Sequence, residues 1–170
     1  MRAYAHGSPP TLHGLSVLYR FGDAATGWLP SIFRIFFMSD SIKTCIATDK
    51  APAAIGPYSQ ATVHGKTAYI SGCIGLIPGA EKPTLAGGGI EGQTRQCLEN
   101  LKATVEAAGG KMNNVCKTTV LLSGSMESYP AVNAIYAEYF PVNPPARAAF
   151  AVAGLPAGGL IEIECVCALE

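Results

Sequence analysis

The chain has 170 residues, 49% hydrophobic and only 14% charged, with twelve basic and twelve acidic side chains in balance. That length suits one domain with a real core, and the apolar content excludes a disordered chain. Zero net charge argues against a basic nucleic-acid footprint, and sparse charge with ample apolar surface is what a subunit of an oligomer carries.

Residues 1–37 differ in character from the rest of the chain. Arg2, Arg20 and Arg34 stand against one acid, Asp23, among scattered Gly, Pro and Ser without a steady period. "LPSIFRIFF" is apolar but is interrupted by Pro30 and Arg34, and is far too short to span a bilayer. It lacks the cleavage pattern of a secretory signal. The segment is expected to be a poorly ordered extension before Met38, or an arginine-rich, acid-poor organelle transit peptide. The protein is then cytoplasmic, or mitochondrial or otherwise organellar if 1–37 acts as that peptide. The domain proper is expected over 38–170.

From Ser41 onward strand and helix patterns alternate. "KTCIAT" predicts a short strand ahead of the turn-rich "DKAPAAIGPYSQ". "ATVHGKTAYISG" predicts a hairpin broken at His64-Gly65. Ile90, Thr94, Cys97, Leu98, Leu101, Val105 and Ala108 recur at three- and four-residue steps, an amphipathic helix stopped by Gly109-Gly110. "VCKTTVLL" is a strand. Ser128 is placed to cap a second helix with Pro130 in its first turn and an apolar face of Val132, Ile135, Tyr136 and Tyr139. "FPVNPP" ends it, and "ARAAFAV" and "LIEIECVCAL" are the last strands. This order predicts an α+β fold, a mixed sheet with two helices on one face, whose other face a neighbouring subunit would cover.

The six cysteines include no C-x-x-C pair, and the three histidines have no ligand-like spacing, so a metal site is not expected. Buried free thiols in a reducing compartment are the expected state.

Strand alternation puts Arg147 on one face with Ala149 and Ala151, and Ala148, Phe150 and Val152 on the other, which reads as core. An arginine at a strand start can simply reach water. Its planar fork also matches a carboxylate through two parallel hydrogen bonds, and the methyl groups beside it leave room for a small molecule. In "IEIEC", Glu162 and Glu164 face away from Ile161, Ile163 and Cys165. That is first of all the pattern of a half-exposed strand, although a carboxylate beside a bound electrophile can also hold and deprotonate a water. Tyr58 in "GPYSQ", Ser71 and Gly72 in "ISGCIG", and Asn133 on the second helix are further pocket candidates.

"ATDKAPAAIGPYSQA", "AYISG", "CKTTVLL", "AVNAIYAEYF", "PPARAAF" and "IEIE" occur here in order. Together they resemble the RidA (YjgF-type) family of imine deaminases over Met38 to Glu170. The resemblance implies a chorismate-mutase-like fold assembled as a homotrimer, with a central barrel of sheets and ligand clefts between subunits. It implies hydrolysis of 2-iminobutanoate and 2-iminopropanoate, and their enamines, to 2-oxo acids and ammonia, with no cofactor and no metal. By the same resemblance Arg147 grips the substrate carboxylate and Glu164 holds the attacking water, with Ser71 nearby. Tyr58, Gly72, Asn133 and Ala149 are pocket positions. Many relatives carry cysteine where this chain has Ala149, and "SGQ" where it has Cys73, which bears on pocket polarity. Other expectations in this family are a non-catalytic trimeric 2-oxo-acid binder or sensor, which would need the arginine but not the acid, and an RNA-cleaving translation inhibitor. Zero net charge and the want of a basic-aromatic stripe disfavour nucleic acid as a partner.

Overall fold

The computed structural model describes residues 42–170; the expectations for 1–37 lie outside the described residues. The elements are β1 Thr44–Ile46, β2 Ala61–His64, β3 Thr67–Ile74, α1 Gly89–Ala107, β4 Val115–Ser123, α2 Tyr129–Tyr139, β5 Ala146–Val152 and β6 Ile161–Ala168. They form one six-stranded sheet in the order β1-β2-β3-β6-β4-β5. Every pairing is antiparallel except β4 with β5, which run parallel because α2 carries the chain across between them.

The hairpin turns at Gly65-Lys66, where Gly65 adopts φ 57, a left-handed conformation that glycine takes without strain. Helix α1 lays its apolar stripe on β3 and β6, and Thr94, Cys97, Leu98, Leu101 and Val105 are wholly buried there. It stops as expected. Gly109 turns left-handed at φ 83, its N–H donating to Glu106, while the Gly110 N–H donates 2.9 Å to the Val105 carbonyl. That double closure satisfies the last carbonyls. Helix α2 follows Pro130 in its first turn, but Ser128 makes no side-chain cap bond, and only its carbonyl is used, by the Val132 N–H. Val132, Ile135 and Tyr136 enter the core beside α1, while Tyr139 stays partly exposed and donates its hydroxyl to Glu99 at 2.7 Å.

The core joins these helix residues to Val120 and Leu122 of β4 and Ile161, Ile163 and Cys165 of β6. Asn100, 1% exposed, is one of its buried polar residues. Its Nδ2 donates to the carbonyls of Ile74 (3.0 Å) and Leu76 (2.8 Å), fixing the chain as it leaves β3. Both helices lie on the face of Val120 and Ile163. On the opposite face Tyr69 and Phe150 are about half exposed.

Two expectations need correction. The bulky face of β5 is not the core face: Phe150 is 53% exposed, and Ala149 packs on the core. Beside Val120, on the side that the helices cover, a small residue suffices at this edge strand, so bulk is no guide to burial there. The cysteines are all free, but Cys45 and Cys116 are exposed. Cys45 lies on the edge strand β1, and Cys116 lies within β4, at the irregularity in its pairing with β6 between Val115 and Lys117.

Candidate active site

The site begins with a bulge. Along β3, Ile70 pairs with Cys165 and Cys73 with Ile163, so three steps on β3 match two on β6. Ser71 and Gly72 therefore share the position opposite Glu164, and the pleat opens there. A cleft of about 400 Å³ lies at this bulge, and its lining includes Tyr58, Ser71, Gly72, Cys73, Glu162 and Glu164.

Each wall has a local cause. Tyr58 stands in the Pro-rich loop before β2, half exposed, its hydroxyl accepting the Ile55 N–H at 3.2 Å. Gln60 pins that loop: its Oε1 accepts from the Thr48 N–H (2.6 Å), and its Nε2 donates to Thr48 and Pro52 carbonyls (3.0 and 2.7 Å). Ser71 donates its hydroxyl to the Ser59 carbonyl at 2.7 Å, leaving its oxygen lone pairs as acceptors toward the cleft. Gly72 is required by close approach. A Cβ there would sit inside the carboxylate of Glu162.

The two acids differ. Glu164 is exposed, whereas Glu162 is partly buried with its carboxylate laid against Gly72. Burial first, and the like charge of Glu164 second, raise the Glu162 carboxyl above its ordinary value. Cys73 lends no charge to the cleft. Burial pushes its thiol up to about 12, opposed by a hydrogen bond from Thr104 and aided by Glu162.

Arg147 is elsewhere. Thr118 of β4 pairs with Arg147 on one side and Cys165 on the other, so the guanidinium shares the helix-covered face. Its Nη2 donates to the Tyr129 hydroxyl (2.7 Å) and to Asn133 Oδ1 (2.8 Å), both on α2. Its carbon lies 4.5 Å from the centroid of the Tyr136 ring, a cation–π contact. Tyr136 is held in turn by a 2.7 Å hydrogen bond with the buried Thr118 hydroxyl. Among the described residues no carboxylate pairs with Arg147.

The residues expected at the site thus fall into two groups. Tyr58, Ser71, Gly72 and Glu164 line the cleft on β3 and β6. Arg147 and Asn133 meet at the β5 edge, with Ala149 packed toward the core beside them. Sequence reasoning missed Glu162 as the more enclosed acid, and Tyr129 and Tyr136 as partners of Arg147. Tyr129, Asn133 and Tyr136 recur at four- and three-residue steps on one helix, so the signal was there to be found. Among the described residues no group of His, Cys, Asp and Glu is arranged to hold a metal ion, and no helix is long and apolar enough to cross a membrane.

The chain is similar in sequence and fold to known proteins. Residues 48–169 match the family described as Endoribonuclease L-PSP. Over 129 residues the chain is 50% identical to the 2-iminobutanoate/2-iminopropanoate deaminase of Mus musculus and 49% to that of Homo sapiens, covering 76% of this chain and 93% and 92% of theirs. The chloroplastic Reactive Intermediate Deaminase A of Arabidopsis thaliana is 42% identical over 127 residues, 75% of this chain and 66% of that one. Among solved structures, RidA from a Psychrobacter species superposes with TM-score 0.70 at 44% identity, over 74% of this chain and 99% of that one. The YjgF gene product of E. coli superposes with TM-score 0.68 at 38% identity, over 75% and 99%. The mixed sheet, the two helices and the "GPYSQ", "PARAAF" and "IEIE" segments at the β3 bulge and the β5 edge have one reading: the chain belongs to the RidA (YjgF-type) family.

Proposed function

We propose that the protein hydrolyses short 2-imino acids, 2-iminobutanoate and 2-iminopropanoate, and their enamine tautomers, to 2-oxo acids and ammonia. The observation that carries the proposal is the acid pair at the β3 bulge, with the partly buried Glu162 held against Gly72 and raised by its surroundings. A base with such a carboxyl works closer to neutral pH than an ordinary one. The names of the mouse and human relatives point to the same reaction.

In this mechanism Arg147 binds the substrate carboxylate and presents the protonated imine carbon to the cleft of a neighbouring copy in a homotrimer. A water held by a β6 acid, with the Ser71 oxygen as second acceptor, adds its oxygen to that carbon while the acid takes its proton. The role moves from Glu164 to Glu162, the more enclosed carboxylate; Glu164 tunes it by like charge. The acid then returns that proton to nitrogen, the C–N bond breaks with its electrons on ammonia, and the carbinolamine hydroxyl gives its own proton to the freed carboxylate as it becomes the oxo group; the departing ammonia takes up that proton as ammonium. Tyr58 and Gly72 shape the wall, Asn133 orients Arg147, and Ala149 leaves space beside the guanidinium. Orientation plus one base supplies about 10²–10⁴-fold, enough for an electrophile that already reacts with water. Cysteine at position 73 stays neutral, which suits an uncharged substrate side chain. No cofactor enters any step.

The test is to generate 2-iminopropanoate or 2-iminobutanoate in situ and follow its loss. Acceleration by the wild type is expected. No acceleration, with tight binding of the 2-oxo acid, would favour a binder or sensor; steeply salt-dependent RNA binding and cleavage would favour the nuclease reading. We further propose that residues 1–37 are a transit peptide, to be tested by sequencing the amino terminus of the mature protein from cells.

A further inference from the structure

The way Arg147 is tethered limits how it can hold a carboxylate. A guanidinium offers two forked edges, Nη1 with Nη2 and Nε with Nη2, and each edge draws one hydrogen from Nη2. Here Nη2 gives its two hydrogens to Tyr129 and Asn133, at 2.7 and 2.8 Å. The ring of Tyr136, 4.5 Å from the guanidinium carbon, and its bond to Thr118 resist rotation away from that arrangement. Three N–H donors, two on Nη1 and one on Nε, remain on Arg147 for a ligand. Neither fork is complete.

Tyr129 supplies what the arginine lacks. Its hydroxyl oxygen accepts from Nη2, and its own proton has no acceptor among the described residues. Accepting a hydrogen bond from a cation polarises the O–H and makes it a better donor. The phenol sits beside the guanidinium, partly exposed, on the edge where Arg147 is itself exposed. We propose that Tyr129 is a substrate-binding residue: the carboxylate of a 2-imino or 2-oxo acid is held by one oxygen on an Arg147 N–H and by the other on the Tyr129 hydroxyl. This rests on the reading of Arg147 as the carboxylate grip. No proton changes hands; the clamp is two charge-assisted hydrogen bonds to one anion. It reads a carboxylate from one side and leaves the other end of the ligand free for the cleft.

The experiment measures binding of 2-oxobutanoate and of its neutral amide by calorimetry, for wild type and Tyr129→Phe, alongside imine hydrolysis and thermal melting. Tyr129→Phe removes one oxygen and keeps the ring, so the melting curve is expected to stay near that of the wild type. A hydrogen bond to a charged group sets the expected scale, roughly a 10-fold or greater weakening of 2-oxobutanoate binding and a matching rise in KM with kcat retained. The amide is expected to be affected far less, because the clamp reads the anion; a merely structural role would weaken both ligands alike. Equal weakening of the two, or 2-oxobutanoate binding unchanged within about two-fold, overturns the clamp while leaving the Arg147 reading intact. No binding of 2-oxobutanoate by the wild type overturns the carboxylate reading itself, and the clamp with it.

Discussion

Arg147 and Glu162 lie on opposite faces of one sheet, separated by the single strand β4. Thr118, which pairs with Arg147, is buried under α2; Leu121, which pairs with Glu162, faces the other way. A side chain cannot pass through a sheet, so the two groups cannot serve one small substrate within one chain. If they share a substrate, they come from two copies. Arg147→Ala and Glu162→Gln are therefore each expected to abolish most imine hydrolysis, while assemblies formed by coexpressing the two variants regain part of it. Separately purified variants mixed without subunit exchange stay inactive. Failure of the coexpressed pair, with mixed assemblies demonstrated by mass, would place both groups in one copy's site or outside it.

The pH profile should report the acid pair. Glu162 works as a base only when ionised, and its raised carboxyl means that ionisation is completed at higher pH than for an ordinary glutamate. So kcat/KM is expected to rise with pH along an acid limb displaced upward from that of an ordinary glutamate. Glu164→Gln removes the like charge and shifts that limb downward, although burial, the larger cause, keeps it from returning fully. A limb that ignores Glu164→Gln would disconnect the second acid from the first.

Gly72→Ala separates chemistry from folding. The added methyl meets the flexible end of Glu162, not backbone, so the carboxylate swings away at little cost. Melting temperature is expected to change little, while kcat falls on the order of 10²-fold or more, the contribution of a displaced base. Unchanged kcat with an unchanged melt would show that the Glu162–Gly72 contact has no part in the reaction.

Asn100 carries the opposite pattern. Replacing it with leucine strands the carbonyls of Ile74 and Leu76, which it satisfies from the interior. Buried acceptors left unpaired cost about 1–3 kcal/mol each, so urea unfolding of Asn100→Leu, which strands two, should show a loss of about 2–6 kcal/mol. Ile74 and Leu76 also line the cleft, so activity should fall together with stability.

The sequence by itself determined the elements and their inward faces wherever one side of a strand or helix was apolar and the other polar. The α1 stripe, its Gly109-Gly110 stop, the hairpin and the Ile-Glu alternation of β6 are all of this kind, because periods of 3.6 and 2 leave one burial solution each. It also supplied the linear motifs that carry the family. Three things were out of its reach, and each depends on strands distant in the chain. Alternation put Glu162 and Glu164 on one face without ranking them; the β3 bulge opposite them did that, by giving Glu162 the bare backbone of Gly72. On β5 alternation separated Phe150 from Arg147 but could not say which side the helices cover. The parallel pairing with β4 decided it, turning Arg147 toward Tyr129, Asn133 and Tyr136 and Phe150 toward the open face. And only the stacking order β6-β4-β5 reveals that the arginine and the acids of these adjacent motifs are turned back to back. Local periodicity is a property of neighbours in the chain; which face meets which partner is a property of the packed sheet.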